Sequence, residues 1–313
     1  RDRDLRLYRN GRADQVTVRR ARPSLAREEA AETPVGHCSI DGEALVATRA
    51  PLGRTHPTAL DPLHAPIPAI STVLLTAAAL RAARHVCVLT GAGISAESGV
   101  PTFRDAQTGL WAKFRPEDLA TPEAFASDPK RIWEWYEWRR ELVRRVEPNA
   151  GHRALVELAN AVPRLTLVTQ NVDGLHQRAG STGVIEYHGN ILRDRCSAEG
   201  TIAGRSSLSI TGLPECARCG ELLRPDVVWF GESIPRHAAL EAGAAAADCD
   251  VFLSIGTASV VYPAAGLAES AQRSGATIIE VNTESTSLTP LADFSLRGPS
   301  GQVLPQLLHA MRG

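Results

Sequence analysis

A glycine-rich stretch at residues 91–105 contains residue types that could hold a phosphate group. It reads Gly-Ala-Gly-Ile-Ser-Ala-Glu-Ser-Gly-Val-Pro-Thr-Phe-Arg-Asp and directly follows a short apolar run at residues 85–90. Gly91, Gly93 and Ala96 match the pattern that turns a strand into a helix beneath a dinucleotide pyrophosphate, since small residues let backbone N–H groups approach the phosphates. The acidic residue that usually follows about 20 positions later is missing. A glycine turn without a ligand therefore stays an alternative.

Amide and carboxylate side chains follow a second apolar run, at residues 165–169. Gln170, Asn171 and Asp173 lie within four residues of one another. In an open parallel sheet, ligands bind at the carboxyl ends of the strands, and this set of side chains could hold a carboxamide and ribose hydroxyl groups. The same residue types also form the polar turns that begin helices, which is the alternative.

His188 follows a third apolar run, at residues 184–187, and is a candidate general base. An imidazole titrates near neutral pH and could take a proton from a ribose hydroxyl. A single histidine is often structural, so position alone leaves both roles open. His152 and His176 each lie near the start of a predicted helix, and we expect them to be structural.

Three cysteines form a candidate metal site. Cys216-Ala-Arg-Cys219 has the spacing of a zinc knuckle, and Cys196 lies twenty residues before Cys216. Cys87 and Cys249 lie inside or beside predicted strands, so we expect them to be inert core thiols.

The elements that would position these side chains alternate between strand and helix. The predicted strands cover residues 85–90, 165–169, 184–187, 250–255 and 276–281, and the predicted helices cover 71–83, 128–146 and 149–162, with Ser71 as a candidate N-cap. Short buried strands that alternate with helices indicate a parallel sheet covered on both faces. The predicted fold class is therefore α/β, a Rossmann-like parallel sheet with an inserted small helical and zinc-binding module.

The composition excludes several classes of function. Of the 313 residues, 43% are hydrophobic and 22% are charged, and a net charge of −1 provides no field that would draw the protein to nucleic acid or to a membrane. The longest apolar run, Ala69–Leu80, is too short to span a bilayer. Six unevenly spaced cysteines do not resemble a secreted disulfide framework, so we expect a cytoplasmic protein.

Residues 1–68 differ from the rest of the chain. Arginines interleave with acidic residues, and a run of prolines from Pro51 to Pro68 indicates a linker. Mixed charge of this kind predicts a poorly ordered tail, to which the sequence assigns no function.

Together the motifs resemble those of the sirtuins, a family of NAD-dependent protein-lysine deacylases. The glycine-rich stretch, Thr-Gln-Asn-Val-Asp-Gly-Leu-His at residues 169–176 and Val-Val-Trp-Phe-Gly at residues 227–231 carry the resemblance, which extends from about Val73 to the C-terminus. It implies that His188 is the catalytic base and that NAD is a consumed co-substrate. The implied NAD-binding residues are Gly91, Ala92, Gly93, Ser95, Ala96, Glu97, Thr102, Phe103, Arg104, Gln170, Asn171, Asp173, Gly256, Thr257, Ala258, Asn282, Thr283, Glu284 and Ser300.

The resemblance also implies where the substrate binds. Val228, Trp229 and Phe230 would pair with the substrate backbone as an added strand. Tyr136 and Arg139, three residues apart on one helix face, resemble the pair with which class III sirtuins bind an acidic acyl group through charged hydrogen bonds. The alternative is a core stripe beside a solvated basic face, since this helix also carries three tryptophans and several arginines.

The cysteine site departs from the family pattern. Sirtuins carry a cysteine three positions after the first one, and here that position is Glu199. Cys196, Cys216 and Cys219 would then bind zinc together with a carboxylate, which is an acceptable zinc ligand, or the metal has been lost.

The resemblance implies a catalytic domain at residues 69–313. Its Rossmann-like parts would cover about 69–112, 149–190 and 224–313, and a small module would cover about 113–148 and 191–223.

In the implied reaction, the acyl oxygen of an acyl-lysine attacks the ribose carbon that bears nicotinamide, and His188 then activates a ribose hydroxyl. The products would be free lysine, nicotinamide and O-acyl-ADP-ribose, with succinyl, malonyl and also acetyl groups removed from protein substrates. Two alternatives keep the NAD cleft: transfer of ADP-ribose to protein, and a non-enzymatic NAD-binding partner protein.

Overall fold

The computed structural model describes residues 70–101, 115–208 and 212–313. The predicted tail at residues 1–68 lies outside these ranges. The helices are α1 (Ile70–Ala82), α2 (Gly93–Ala96), α3 (Pro116–Leu119), α4 (Pro122–Ser127), α5 (Pro129–Arg145), α6 (Ala150–Ala161), α7 (Leu175–Ala179), α8 (Arg236–Asp248), α9 (Ala265–Arg273) and α10 (Ser300–Arg312). The strands are β1 (Val86–Thr90), β2 (Leu165–Thr169), β3 (Ile185–Glu186), β4 (Gly189–Cys196), β5 (Arg205–Leu208), β6 (Pro214–Cys216), β7 (Leu223–Val227), β8 (Val251–Ile255), β9 (Thr277–Asn282) and β10 (Phe294–Arg297).

Six strands form one parallel sheet in the order β10-β9-β8-β1-β2-β3. From β1 the chain builds β2 and β3 on one side and later β8, β9 and β10 on the other. The carboxyl ends of β1 and β8 therefore flank the point at which the strand order reverses, which is where open α/β sheets bind ligands. All five residues of β1 and of β8 are buried, as expected for strands covered on both faces.

Alternate side chains of β1 point into two different cores. Val86 and Val88 pack with α1, α6 and α10 on one face of the sheet. Cys87 and Leu89 pack with the alanine-rich helices α8 and α9 on the other face. Cys249 also lies in the second core, so both thiols expected to be inert are buried.

The sequence predicted most of these elements. β2 has the predicted bounds, β1 and β8 each begin one residue later than predicted, and α5 begins at Pro129 because Asp128 caps it by accepting a hydrogen bond from the Arg131 N–H. Ser71 lies inside the described part of α1, so its assignment as an N-cap was wrong. β10 was not predicted, because polar Ser295 and Arg297 interrupt its short apolar pattern.

A second group of elements surrounds the cysteines. β4 pairs antiparallel with β7, and β5 pairs with β6. Apolar side chains of β4, β6 and β7 form a third core with α4 and α5. Arg140 of α5 is fully buried there, and its guanidinium donates to the carbonyl oxygens of Ile191 and Arg193 and to the carboxylate of Asp194, at 2.5, 3.0 and 2.6 Å. Side-chain contacts of one arginine therefore fix α5 against β4.

Within the described residues, no helix is long and apolar enough to cross a membrane. The division of the chain into Rossmann-like parts and a small module, with the bounds given above, stays a prediction.

Candidate active site

The glycine-rich loop packs directly against the loop that follows β8. A Cβ atom at Gly93 would lie 2.7 Å from the Cα atom of Gly256, and one at Gly91 would lie 2.8 Å from the Gly256 carbonyl oxygen. The Gly93 N–H donates to that same oxygen at 2.8 Å. Glycine is required here because two backbones meet, and their contact forms the floor of the crevice between β1 and β8.

The polar residues after β2 reach the same crevice. The Gln170 side-chain amide donates to the Thr257 hydroxyl at 3.1 Å, and the Asn171 amide donates to the Gly91 carbonyl oxygen at 3.1 Å. The Ser95 hydroxyl donates to the buried carboxylate of Asp173 at 2.8 Å. Three segments that are distant in sequence are therefore brought together by parallel strands that end at one edge of the sheet.

The pKa of the Asp173 carboxyl is raised above its usual range. Burial raises it, and this effect outweighs the hydrogen bonds from Leu175 and Ser95 and the positive charge of Arg139, which lower it. Arg139 lies on α5, so a charge from the group of elements around the cysteines acts on a carboxyl of the crevice.

Behind this edge lie His152 and His176, whose rings are 4.9 Å apart. His152 Nε2 lies 3.4 Å from the Ser95 hydroxyl, and His176 Nε2 lies 2.9 Å from the Thr90 hydroxyl. Burial lowers the pKa of His152 to about 4 and that of His176 to about 3. Both rings are neutral supports of the loop, consistent with the structural role expected for them.

Glu97 and Ser300, both predicted to contact NAD, meet at the start of α10. The Glu97 carboxylate accepts hydrogen bonds from the Gly301 N–H at 2.6 Å and from the Ser300 hydroxyl at 3.3 Å. An acidic side chain is favourable beside the N–H groups at a helix start. In this structure the two residues join the glycine-rich loop to α10.

The other residues predicted to bind NAD line the outer part of the crevice or lie outside the described residues. The Asn282 amide donates to the Thr257 carbonyl oxygen at 2.9 Å, and the Thr283 N–H donates to the Asn282 side chain. Ala92 and Ala96 lie in or beside α2, and Ala258 and Glu284 follow β8 and β9. Thr102, Phe103 and Arg104 lie outside the described residues.

His188 lies between β3 and β4 at the edge of the crevice. Its Nδ1 is 3.0 Å from the carbonyl oxygen of Gln170. Since a carbonyl can only accept, Nδ1 carries the hydrogen and the neutral ring presents Nε2 as the basic atom. Burial lowers the pKa of His188, partly offset by the hydrogen bond to Gln170, so the ring is a neutral base at neutral pH.

Gly189 explains how His188 is placed. Its φ is +82°, and a Cβ atom there would lie 2.1 Å from the Asp226 carbonyl oxygen. Only glycine lets β4 turn away from the sheet and pair with β7 immediately after the histidine.

Tyr136 of α5 contacts the segment that follows β7. Its hydroxyl oxygen accepts a hydrogen bond from Trp229 Nε1 at 2.8 Å, and both rings are buried. The Arg139 guanidinium carbon lies 5.0 Å from the centre of the Trp135 ring and 5.8 Å from that of Tyr136. Of the two residues predicted to bind the acyl group, Tyr136 therefore adjoins the segment predicted to bind the substrate backbone, and Arg139 packs against Tyr136.

The backbone of residues 228–230 already makes contacts within the chain. The Val228 N–H donates to the His188 carbonyl oxygen at 3.0 Å, and the Phe230 N–H donates to the Ala120 carbonyl oxygen at 2.9 Å. The Trp229 N–H donates to the carboxylate of Glu232 at 2.8 Å. Sequence reasoning missed Glu232 as an anchor of this segment, since a carboxylate in a loop gives no periodic signal.

The three cysteine sulfurs lie within 4.8 Å of one another, and those of Cys196 and Cys219 are 3.4 Å apart. Sulfurs bound to one tetrahedral zinc ion at Zn–S distances of about 2.3 Å would be at comparable separations. The Glu199 N–H donates to Cys196 Sγ and the Arg218 N–H donates to Cys216 Sγ, at 3.4 and 3.5 Å. Such bonds favour the thiolate form, so the residues present fit a zinc ion.

Comparison with known proteins decides the family. The model of the Sir2 family matches residues 91–263, a range that includes the glycine-rich loop, the polar residues after β2, His188 and the three cysteines.

The chain belongs to the Sir2 family.

Similar Sir2 proteins extend over most of this chain. A protein of Methylococcus capsulatus named NAD-dependent protein deacylase is 50% identical over 247 residues, which are 75% of this chain and 95% of that protein. A crystal structure described as a Sir2 homolog–NAD complex is 44% identical with a TM-score of 0.70, covering 76% of this chain and 93% of the other. A structure described as Sir2 bound to acetylated peptide is 28% identical with a TM-score of 0.65, covering 75% and 96%.

These comparisons confirm several predictions. The sirtuin family, the Rossmann-like fold and the enzyme class of NAD-dependent protein deacylase are confirmed. NAD as co-substrate is confirmed for the family, and the cysteine cluster is compatible with the predicted zinc. The roles of individual residues stay predictions.

Proposed function

We propose that this Sir2 protein removes acidic acyl groups, succinyl and malonyl, from lysine side chains of proteins, with slower removal of acetyl groups. The observation that carries the proposal is the hydrogen bond from Trp229 to Tyr136, with the Arg139 guanidinium 5.8 Å from the centre of the Tyr136 ring. The predicted acyl-binding pair and the predicted substrate segment would form one pocket.

The Tyr136 hydroxyl is suited to bind a carboxylate. Its oxygen accepts from Trp229, so its own hydrogen can be donated to an acyl group. Burial raises the pKa of Tyr136, which keeps the hydroxyl protonated. Trp229 holds the phenol ring in this orientation.

Arg139 would supply the charge. Its side chain is half-buried, and burial lowers its pKa, although arginine remains protonated in proteins. A charge that has lost part of its hydration is stabilised by nearby anions, and a substrate carboxylate would add to the negative charge that Asp173 already provides. A neutral acetyl group cannot compensate for this loss of hydration, whereas a succinyl or malonyl carboxylate can do so through charge-assisted hydrogen bonds.

The residues of the crevice would hold NAD. The glycine-rich loop would lie against the phosphates, because its small residues allow close approach to the backbone, and Gln170, Asn171 and Asp173 would hold the nicotinamide and its ribose. His188, with Nδ1–H fixed on Gln170, would accept the ribose hydroxyl proton at Nε2.

The proposed net reaction balances. Acyl-lysine, NAD and one water give free lysine, nicotinamide and O-acyl-ADP-ribose. Two bonds break: the one between the ribose carbon and the nicotinamide nitrogen, and the one between the acyl carbon and the lysine nitrogen. The acyl oxygen becomes the hydroxyl oxygen on that ribose carbon, water supplies the new carbonyl oxygen of the acyl group, and an ester bond joins the acyl carbon to a neighbouring ribose oxygen. No hydride moves.

The test compares one peptide that carries acetyl-, malonyl- or succinyl-lysine, with mass spectrometry of all products. A charge-assisted pair predicts a roughly ten- to hundredfold higher kcat/KM for the acidic acyl groups. Arg139→Met should remove most of this preference while deacetylation is kept or improved, and Tyr136→Phe should do the same more weakly. Arg144→Met, an exposed arginine on the same helix, is the matched control.

Two results would contradict the proposal. A parallel fall of all three activities in Arg139→Met would mean that Arg139 stabilises the fold instead of binding the acyl group. ADP-ribose attached to the peptide, in place of O-acyl-ADP-ribose in solution, would mean that the protein is a transferase.

A further inference from the structure

The three cysteines lie on two turns of the same form. One turn runs from Cys196 to Gly200, and the other runs from Cys216 to Gly220. The glycine of each turn adopts the left-handed backbone conformation, with φ of +67° at Gly200 and +81° at Gly220. Its N–H donates to the carbonyl oxygen of the cysteine that begins the turn, at 2.9 Å in the first turn and 3.0 Å in the second. Each turn also directs an N–H group at its first sulfur.

This equivalence gives Glu199 a defined place. Glu199 is the fourth residue of the first turn, just as Cys219 is the fourth residue of the second. The backbone of the first turn therefore carries Glu199 at the position from which the second turn supplies a sulfur. Tetrahedral zinc bound by three thiolates needs one more ligand, and this position is where the turn would supply it.

The Glu199 side chain is engaged elsewhere in the structure. The metal-binding atoms that lie within 4.8 Å of one another, among the described residues, are the three sulfurs. The Glu199 carboxylate instead forms an ion pair with Arg218, which also donates to the Thr201 hydroxyl at 2.6 Å. Arg218 belongs to the second turn, between its two cysteines, so the ion pair links the two turns across the site.

We propose that Glu199 is the fourth zinc ligand of this protein and that Arg218 competes with the metal for its carboxylate. Zinc binding displaces the thiol protons of the cysteines into solution. It also breaks the contact between Glu199 and Arg218, and one carboxylate oxygen turns to the metal. Zinc is therefore held less tightly than by four thiolates, and it exchanges more readily.

The proposal is tested by zinc affinity, measured on the full chain by competition with a chromophoric chelator. Glu199→Gln should weaken binding by more than about tenfold, because even groups that only orient the ligands contribute 10- to 100-fold. Glu199→Cys should tighten binding, since it adds a fourth thiolate. Glu241→Gln, an exposed acid on α8, is the control for the charge change and should leave the affinity unchanged.

Arg218→Ala tests the competition separately. The pair is partly exposed, with 60% of the Arg218 side chain and 37% of the Glu199 side chain accessible, so its loss should tighten zinc binding by only about two- to fivefold. Arg273→Ala removes an exposed arginine–glutamate pair on α9 and should have no effect. Weaker binding in Arg218→Ala would mean that the arginine supports the bound carboxylate, and it would overturn the competition.

Cobalt substitution provides a readout that does not depend on affinity. The intensity of sulfur-to-cobalt charge transfer rises with the number of thiolates, so Glu199→Cys should increase it in the ratio of four sulfurs to three. Wild type and Glu199→Gln should share the three-sulfur intensity. Equal zinc affinities of wild type and Glu199→Gln would overturn the assignment of Glu199 as a ligand, and so would a four-sulfur intensity in the wild type.

Discussion

The edge of the parallel sheet and the elements around the cysteines position their functional side chains in different ways. At the sheet edge, the backbone does the positioning: Thr90 pairs in register with Thr169 on one side and with Ile255 on the other, so the loops that follow all begin at one level. Around the cysteines, contacts of individual side chains position the elements and their functional residues. Arg140 links α5 to β4, Trp229 holds Tyr136, and the sulfurs of Cys196 and Cys219 meet between the two turns.

This difference predicts different sensitivities. The sheet edge contains two buried neutral histidines, so its stability should be sensitive to protonation. The region around the cysteines depends on a buried cation and on thiolates, so it should be sensitive to single charge removals and to loss of metal.

The largest expected effect is acid destabilisation of the sheet edge. The histidines of the unfolded chain become protonated below about pH 6.5. In the folded protein, His152 stays neutral down to about pH 4 and His176 down to about pH 3. The unfolded state then binds more protons, so the free energy of unfolding falls as pH drops from about 6.5 to about 4. At ~1.4 kcal/mol per pKa unit, the loss is on the order of 3 kcal/mol for each histidine.

Urea unfolding between about pH 7 and about pH 5 measures this loss. His176→Gln should flatten the pH dependence, and His309→Gln, an exposed histidine of α10, should leave it unchanged. An unchanged slope in His176→Gln would show that carboxylates, and not the buried histidines, set the acid sensitivity.

The next effect concerns the region around the cysteines. Arg140→Met leaves the Asp194 carboxylate and two carbonyl oxygens without their buried donor. Removing one partner of such a pair costs about 3–5 kcal/mol. Chemical denaturation measures the loss, and Arg144→Met on the exposed face of α5 should change stability by less than about 0.5 kcal/mol. Equal stabilities of the two variants would mean that Arg140 does not fix α5.

Substitution of His188 should lower the rate of catalysis without lowering the stability of the fold. His188→Ala should lower deacylation by about a hundredfold or more, as expected for a lost general base, with little change in melting temperature. Because the pKa of His188 is lowered, the acid limb of the wild-type pH–rate profile should lie below about pH 6.5. His237→Ala, an exposed histidine, is the control; near-normal turnover in His188→Ala would refute the role of base.

The smallest expected effect distinguishes two roles of Glu97. If it mainly supports the start of α10, Glu97→Gln should cost about 0.3–1 kcal/mol of stability and leave the KM for NAD nearly unchanged. Thermal denaturation and steady-state kinetics on the same sample measure both quantities. A large rise in KM without loss of stability would instead support the predicted contact with NAD.

The sequence predicted the sheet edge well because its signals are local. Five apolar runs matched strands, and the glycine-rich loop and the polar residues after β2 followed them as motifs. The last strand, β10, was missed because polar Ser295 and Arg297 interrupt its short apolar pattern. The contact of Glu97 with Gly301 spans 204 positions, and no pattern near either residue indicates it.

The elements around the cysteines were less predictable. Spacing on one helix placed Tyr136 and Arg139 on the same face, but the contact of Tyr136 with Trp229 spans 93 positions. Arg140 was one of several arginines in α5, and nothing in the periodicity separates the buried one from its exposed neighbours. Glu199 was recognised as a departure, yet only the two equivalent turns indicate what that departure does.

His188 joins the two regions through two different groups of one residue. Its ring is bonded to the Gln170 carbonyl of the sheet edge, while its own carbonyl accepts the N–H of Val228 in the segment predicted to bind substrate. In the proposed function, a peptide that shifted this segment would move the backbone of His188, and a dinucleotide that shifted Gln170 would move its ring. The position of the proposed base would then respond to both ligands through this one residue.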